Sequence, residues 1–376
     1  MKWDELHLQD SLLRGIYAYG FENPSNIQET TILPILNGRD VIAQAQSGSG
    51  KTGAFLISAL HKIDTSLNRT QCLILVPTHE LVAQTMKVAT GLSFNIPDIR
   101  IKNMMGGTSI REDSVAYRNN PPHLVIGTVG RVLDMILKRI LKVDDLKLFV
   151  LDEADEMLGK GFSEKINTII CNFPKNTQLA FFSATVPENI IRLCDYYMKS
   201  PEKILVKKEE LSLQCITQYY VAMSDDNMKY EKLKELFSVI SINKCIIYCN
   251  HVNRVLQLYN EMKKDDFSVG CIHGLMEKSE RRQIYQQFCH GETRVLISSD
   301  ITARGLDVQQ VSIVINFDIT PNIHTYLHRI GRSGRWGRKG WAINFITKYD
   351  VPIVREIESH YKILIEELPT SFNQLI

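Results

Sequence analysis

Short apolar runs rich in β-branched residues alternate along this chain with amphipathic stretches of helical length, and no other feature constrains its fold as strongly. The runs Asp40–Ala45, Cys72–Val76, Leu124–Ile126, Leu148–Leu151 and Leu179–Phe182 have the length of strands. Between them, residues 53–63 and 80–90 repeat apolar side chains at helical spacing. A helix between two strands carries the chain back to the starting edge, so such strands pair in parallel. The alternation restarts after residue 215 with Cys245–Cys249, Ser268–Ile272, Arg294–Ser298, Ser312–Asn316 and Trp341–Phe345. Residues 206–214, between the two series, are charged and carry no strong period. The reading is an α/β protein of two tandem domains, each a mostly parallel sheet flanked by helices: 1–205 and 215–376, with 206–214 as the linker. A length of 376 residues suits two domains at roughly 100–200 residues apiece.

Composition narrows the class further. With 44% apolar and 23% charged residues, the chain is neither disordered nor fibrous. No apolar run approaches the ~18 residues of a membrane helix, so no membrane association is expected. The segment Met1-Lys2-Trp3-Asp4-Glu5 lacks the apolar core of a signal peptide. Eight cysteines without a C-x-x-C pair suit reduced thiols inside a cell. Cys245, Cys249, Cys271 and His273 could be imagined as zinc ligands, but the first two lie four apart in a buried strand and read as core thiols. A net charge of +2 means that any polyanion site is local. One segment qualifies, since residues 325–340 hold Arg329, Arg332, Arg335, Arg338 and Lys339 without an acid. Trp336 and Trp341 beside these arginines could stack on bases, and strand packing explains them as well.

The octet Ala45-Gln-Ser-Gly-Ser-Gly-Lys-Thr52 follows a predicted strand and opens a predicted helix, the context of a phosphate-binding loop. Ser47, Gly48, Ser49 and Gly50 would crowd backbone N–H groups around phosphates, and the helix dipole adds to the attraction. Lys51 would reach the β- and γ-phosphates, and Thr52 would hold Mg²⁺. Ala45 stands where the pattern has glycine. A hundred residues on, the strand ending at Leu151 runs into Asp152-Glu-Ala-Asp155, at the edge where a parallel sheet binds ligands. Asp152 can share the Mg²⁺ with Thr52, and Glu153 can polarise an attacking water. In His328-Arg-Ile-Gly-Arg-Ser-Gly-Arg335, arginines three apart can converge on one anion. A phosphate held by the first domain and sensed from the second would act as a closing switch.

Together these strings resemble the DEAD-box RNA helicases, over essentially the whole chain. The resemblance implies two RecA-like domains, ATP and Mg²⁺ as cofactors, and ATP-dependent local melting of RNA duplexes. Gly20–Gln28 is similar to the family's adenine-reading Q motif, which gives Gln28 the adenine edge and Phe21 the ring. Tyr17 and Tyr19 beside it read as helix-to-core contacts. Ser183-Ala-Thr185 matches the segment linking hydrolysis to strand separation. Ala303-Arg-Gly-Leu-Asp307 matches motif V, which puts Gly305 and Asp307 near the ribose. By the same likeness Arg332 and Arg335 are arginine fingers, with His328 in their catalytic network.

The likeness also assigns RNA contacts to Pro77, Thr78, His79, Gly107, Thr128, Gly130, Arg131, Arg281 and Ser299. Four positions depart from the family pattern. His79 replaces the arginine of P-T-R-E-L, Val129 the proline of T-P-G-R, Lys278 the glutamine of Q-x-x-R, and Ser299 a threonine. Most such contacts go to phosphate and 2′-hydroxyl groups, giving grip without sequence reading. Within the family, Leu12–Phe21, Asp152–Leu158, Ile204–Leu211 and Asp307–Val311 are similar to the translation initiation factor 4A subfamily. That likeness implies a scaffold partner of the initiation-factor 4G type, a monomer outside complexes, and the cytoplasm. The nuclear exon-junction relative shares several of the same lines, which keeps the nucleus and an ATP-gated RNA clamp as alternatives. A DNA helicase is a third reading, separable by which nucleic acid stimulates hydrolysis.

Overall fold

The structure, a computed structural model, describes residues 2–45, 48–107, 110–159, 161–186, 188–205, 216–240, 244–300, 311–333 and 340–369. Two compact units divide the chain, Met1–Val206 and Lys207–Ile376. The expected linker 206–214 lies outside the described residues.

In the first unit the strands are β1 (Val41–Gln44), β2 (Cys72–Leu75), β3 (Ile101–Met104), β4 (Leu124–Gly127), β5 (Leu148–Leu151), β6 (Gln178–Ser183) and β7 (Glu202–Ile204). They form one sheet in the order β3-β4-β2-β5-β6-β1-β7, with every pairing parallel. The second unit has β8 (Ile216–Ala222), β9 (Cys245–Tyr248), β10 (Val269–Ile272), β11 (Val295–Ser298), β12 (Ile313–Asn316), β13 (Gly340–Ile346) and β14 (Glu366–Glu367). Their order is β10-β11-β9-β12-β13-β8-β14, again parallel throughout.

Successive strand residues point to opposite faces, and both faces are covered here. Ile74, Leu124, Ile126 and Val150 join the apolar layer on one face of the first sheet. Their neighbours Leu73, Leu75, Val125 and Phe149 join the layer on the other. The second sheet repeats the division, Ile247 and Ile315 against Ile246 and Val314. Double burial is why β2, β4, β5, β9 and β12 read as apolar runs. β3, β7 and β14 show no such run because each is an edge strand with largely uncovered residues. Cys245, Cys249 and Cys271 are buried thiols, and burial pushes each of their pKa values up. Among the described residues they join no metal-ligating cluster.

Candidate functional site

Parallel pairing brings every strand's carboxyl end to one edge of its sheet, where the loops gather. β1 leads through Ala45 into the glycine-bounded loop, and the helix Lys51–Lys62 starts directly after it. Gly50 caps that helix at φ 102°, a left-handed backbone that a side chain would strain. Ser47 lies outside the described residues, whereas Gly48, Ser49, Gly50 and Thr52 sit at the mouth of the loop. Lys51 is only 6% exposed, and its Nζ lies 3.7 Å from Glu153 Oε1. That Nζ and Glu153 Oε2 are buried without a hydrogen-bond partner in the described residues. Buried charged groups left this incomplete cost free energy until a ligand completes them.

Glu153 follows β5, two strands from β1, and has a left-handed φ of 50°. Its backbone N–H donates to Asp152 Oδ1 at 3.0 Å. Burial pushes the Asp152 carboxyl up to about 7, against the pull of Lys51 and with help from the nearby Glu153 charge. Carboxylate and hydroxyl oxygens are the donors that Mg²⁺ prefers, and a buried carboxyl of raised pKa is one that a cation would discharge. Asp152 and Thr52 therefore fit that ion.

Gln28 stands at the third position of the helix Asn26–Leu36 and is buried. Its Oε1 accepts from Ser25 N at 2.7 Å, and its Nε2 donates to Gly50 O at 3.2 Å. The side chain thus ties the helix start to the phosphate-loop backbone. Phe21 stacks on the buried Trp3 with ring centroids 6.3 Å apart, and Tyr19 meets it edge-on at 5.1 Å. Tyr19 packs where a Gly91 side chain would sit, while the Tyr17 hydroxyl donates to exposed Asp4.

A link that the sequence motifs left unassigned runs from the carboxylates to β6. The Asp155 backbone N–H donates to Ser183 Oγ at 3.1 Å, and the Thr185 hydroxyl donates to Asp155 Oδ2. The end of β5 is thereby bonded to the Ser-Ala-Thr segment on its neighbour. Its only signal in the sequence is the fourth residue of Asp-Glu-Ala-Asp.

The residues assigned to RNA in this unit lie further along the same edge, after β2, β3 and β4, which are adjacent strands. Pro77 and Thr78 follow β2, and the Thr78 hydroxyl caps the helix His79–Leu92 by accepting from Leu81 N at 3.2 Å. A side chain on Gly106 would lie 3.9 Å from the His79 ring, so two elements distant in sequence meet here. Gly107 holds φ 102°. Thr128 precedes the helix Val129–Leu137, with Gly130 exposed and Arg131 half-buried in its first turn. Val129 is buried.

In the second unit, Arg281 lies in the first turn of the helix Lys278–His290, and Ser299 follows β11. His328 and Arg332 are buried, with Arg332 Nε 3.4 Å from the His328 carbonyl oxygen. Gly305, Asp307 and Arg335 lie outside the described residues. Arg329 departs from the reading of a free basic run, because it is 0% exposed and turned inward. It donates to Asp300 Oδ1 at 2.6 Å, Asn250 Oδ1 at 2.8 Å and Asp318 O at 2.7 Å, and its guanidinium lies 5.3 Å from the Tyr248 ring centroid. Its acidic partner comes from another strand, so the local sequence did not contain it.

Two parallel sheets of this order, with a lysine-bearing loop on β1 facing a carboxylate pair on β5, define a P-loop nucleoside triphosphatase of tandem RecA-like units. Comparison with known proteins narrows the class. The DEAD/DEAH box helicase profile matches residues 25–193, and the helicase conserved C-terminal domain matches residues 228–337. Eukaryotic initiation factor 4A of Cryptosporidium parvum is 49% identical over 374 residues, covering 100% of this chain and 92% of that protein. ATP-dependent RNA helicase eIF4A of Pyricularia oryzae is 48% identical over 374 residues, covering 100% and 94%. The structure of S. cerevisiae Dbp5 bound to RNA and ADP BeF3 matches with a TM-score of 0.92 at 32% identity, covering 100% of this chain and 97% of that one. The chain belongs to the DEAD/DEAH box helicase family.

Proposed function

We propose that this chain, an ATP-dependent RNA helicase, works in translation initiation by gripping single-stranded RNA when ATP is bound and locally melting duplexes. The observation that carries the reading is the buried Lys51 ammonium beside Glu153, a cation without a hydrogen-bond partner among the described residues at the mouth of a phosphate loop. The names of the relatives, eukaryotic initiation factor 4A among them, support the placement in initiation.

Lys51 and the backbone of residues 47–50 bind the β- and γ-phosphates. Gln28 pairs with the adenine edge, Phe21 packs on the ring, and Gly305 and Asp307 lie at the ribose. Thr52 and Asp152 hold Mg²⁺, which when bound neutralises charge on the phosphate oxygens. Glu153 orients water for attack on the γ-phosphorus and takes its proton. Arg332 and Arg335 steady the charge that develops, with His328 in the same network. Pro77, Thr78, His79, Gly107, Thr128, Gly130, Arg131, Arg281 and Ser299 contact the RNA backbone. Residues 206–214 connect the two domains. A scaffold of the initiation-factor 4G type, a monomeric state outside complexes and a cytoplasmic location complete the proposal. Among the described residues no helix is long and apolar enough to cross a membrane.

The experiment is Glu153→Gln in RNA-stimulated ATP hydrolysis and duplex-melting assays. Nucleotide and RNA binding are expected to persist while hydrolysis falls ~10²-fold or more, the effect of losing a positioned base. Hydrolysis at the unmodified rate would remove Glu153 from the chemistry.

A further inference from the structure

The amino edge of the first sheet, opposite the edge that carries the nucleotide and RNA residues, has a concave surface of its own. The segments leading into β2, β4 and β5 meet there beyond the end of the helix Val129–Leu137, around a cavity of about 610 Å³. Its partly accessible apolar lining is Pro121 and Ile140, both half-buried. Its exposed lining carries four cations, Arg69, Arg118, Arg139 and Lys142, against two acids, Asp144 and Asp145.

Only one of those four cations is neutralised. Arg69 pairs with Asp145 at 2.6 Å, whereas the side chains of Arg118, Arg139 and Lys142 make no ion pair or hydrogen bond with the described residues. Arg139 is also held against its preference. The helix ends with Arg139 N bonded to Ile136 O and Ile140 N bonded to Met135 O, which leaves Arg139 at φ 54°. Glycine is the usual residue in that turn, and a side chain there costs about 1 kcal/mol. An arginine kept in a strained position beside unpaired cations suggests work for its charge.

The lining also discriminates among anions. Asp145 is paired with Arg69, which leaves Asp144 beside the cations, and anions spaced well apart can avoid it where the closely spaced phosphates of a nucleic acid cannot. Tyr117, the one aromatic residue of the lining, is buried and donates its hydroxyl to Asn103 O at 2.9 Å. Its ring is therefore not presented for base stacking, on which single-strand binders rely. A peptide carries its charges further apart and can bring an apolar side chain with them.

We propose that this cavity docks an acidic peptide segment of a partner protein, with an aliphatic side chain against the half-buried Pro121 and Ile140 and carboxylates meeting Arg118, Arg139 and Lys142. Charge complementarity of this kind sets the orientation and salt sensitivity of an interface. The surface is separate from the ATP and RNA machinery, so a partner held here leaves the carboxyl edge free.

The test uses the full chain and a fluorescein-labelled peptide of alternating glutamates and leucines, followed by anisotropy. The triple variant Arg118→Glu, Arg139→Glu, Lys142→Glu should bind the peptide at least ~10-fold more weakly, with RNA-stimulated ATPase unchanged. A glutamine–leucine peptide and a glutamate peptide without leucine should each bind several-fold more weakly than the probe. Arg139→Gly guards against misfolding: it should melt no lower than the unmodified protein while losing several-fold in peptide affinity. Equal affinity of the variants and the unmodified chain, or of the control peptides and the probe, would overturn the proposal. A loss of uridine-oligomer affinity in the triple variant with peptide affinity intact would assign the surface to nucleic acid and overturn it too.

Discussion

Asp152 has almost no water around it, and burial lifts its pKa to about 7 from an ordinary 3.8. A carboxyl raised in the folded state contributes stability that is fully present below about pH 4, where both states are protonated. That contribution is lost progressively as pH rises through about 7, because ionising the buried group is costly while the unfolded chain ionises freely. Asp152→Asn removes the titration and keeps the shape. In metal-free buffer without nucleotide, the variant should melt with the unmodified protein at pH 4 and clearly above it at pH 8, by on the order of 2 kcal/mol. Coincident melting curves at pH 8 would mean that the carboxyl is better solvated than its surroundings imply. His79 offers the complementary case, a weak group where a strong one would serve. Histidine ordinarily loses its charge near ~6.5, whereas arginine keeps its charge at every accessible pH. With a non-hydrolysable ATP analogue at pH 7.5, His79→Arg should tighten RNA binding by up to about 1 kcal/mol and add nearly one counterion to the salt slope. Superimposable anisotropy curves for the two proteins, across pH and salt, would show that position 79 does not face RNA.

At the scale of elements, the carboxyl ends of the second sheet are held by one side chain. Arg329 reaches Asn250 after β9, Asp300 after β11 and Asp318 after β12, and its fork serves three directions at once. A lysine has the charge without the fork. Arg329→Lys should destabilise the protein by about 3 kcal/mol, since it leaves Asn250 or Asp300 without its partner. A denaturant midpoint unmoved by the change would show that the contacts contribute little. This network also marks what the sequence could reveal. The phosphate loop and the carboxylate pair are strings of neighbours, so a reader of the chain can see them. Arg329 with Asp300, and Asp155 with Thr185, join residues about thirty apart, and only strand order brings them together. The strands divide in the same way. Central strands buried on both faces declare themselves as apolar runs, whereas β3, β7 and β14 alternate poorly because water covers much of them.

For the whole molecule, the order β3-β4-β2-β5-β6-β1 lays the residues proposed for RNA and those proposed for the nucleotide along one edge of the first unit, with the Asp155–Thr185 link between them. Further residues assigned to both ligands lie in the second unit, so neither unit is expected to complete the cycle alone. Bound ATP is expected to strengthen the grip on RNA. The direct measurement is the affinity of the full chain for a labelled uridine oligomer without nucleotide, with ADP, and with a non-hydrolysable ATP analogue. Binding should be at least ~10-fold tighter with the analogue than in the other two conditions, a coupling of about 1.4 kcal/mol, and Lys51→Ala should lose that gain. Equal RNA affinity in all three conditions would contradict it.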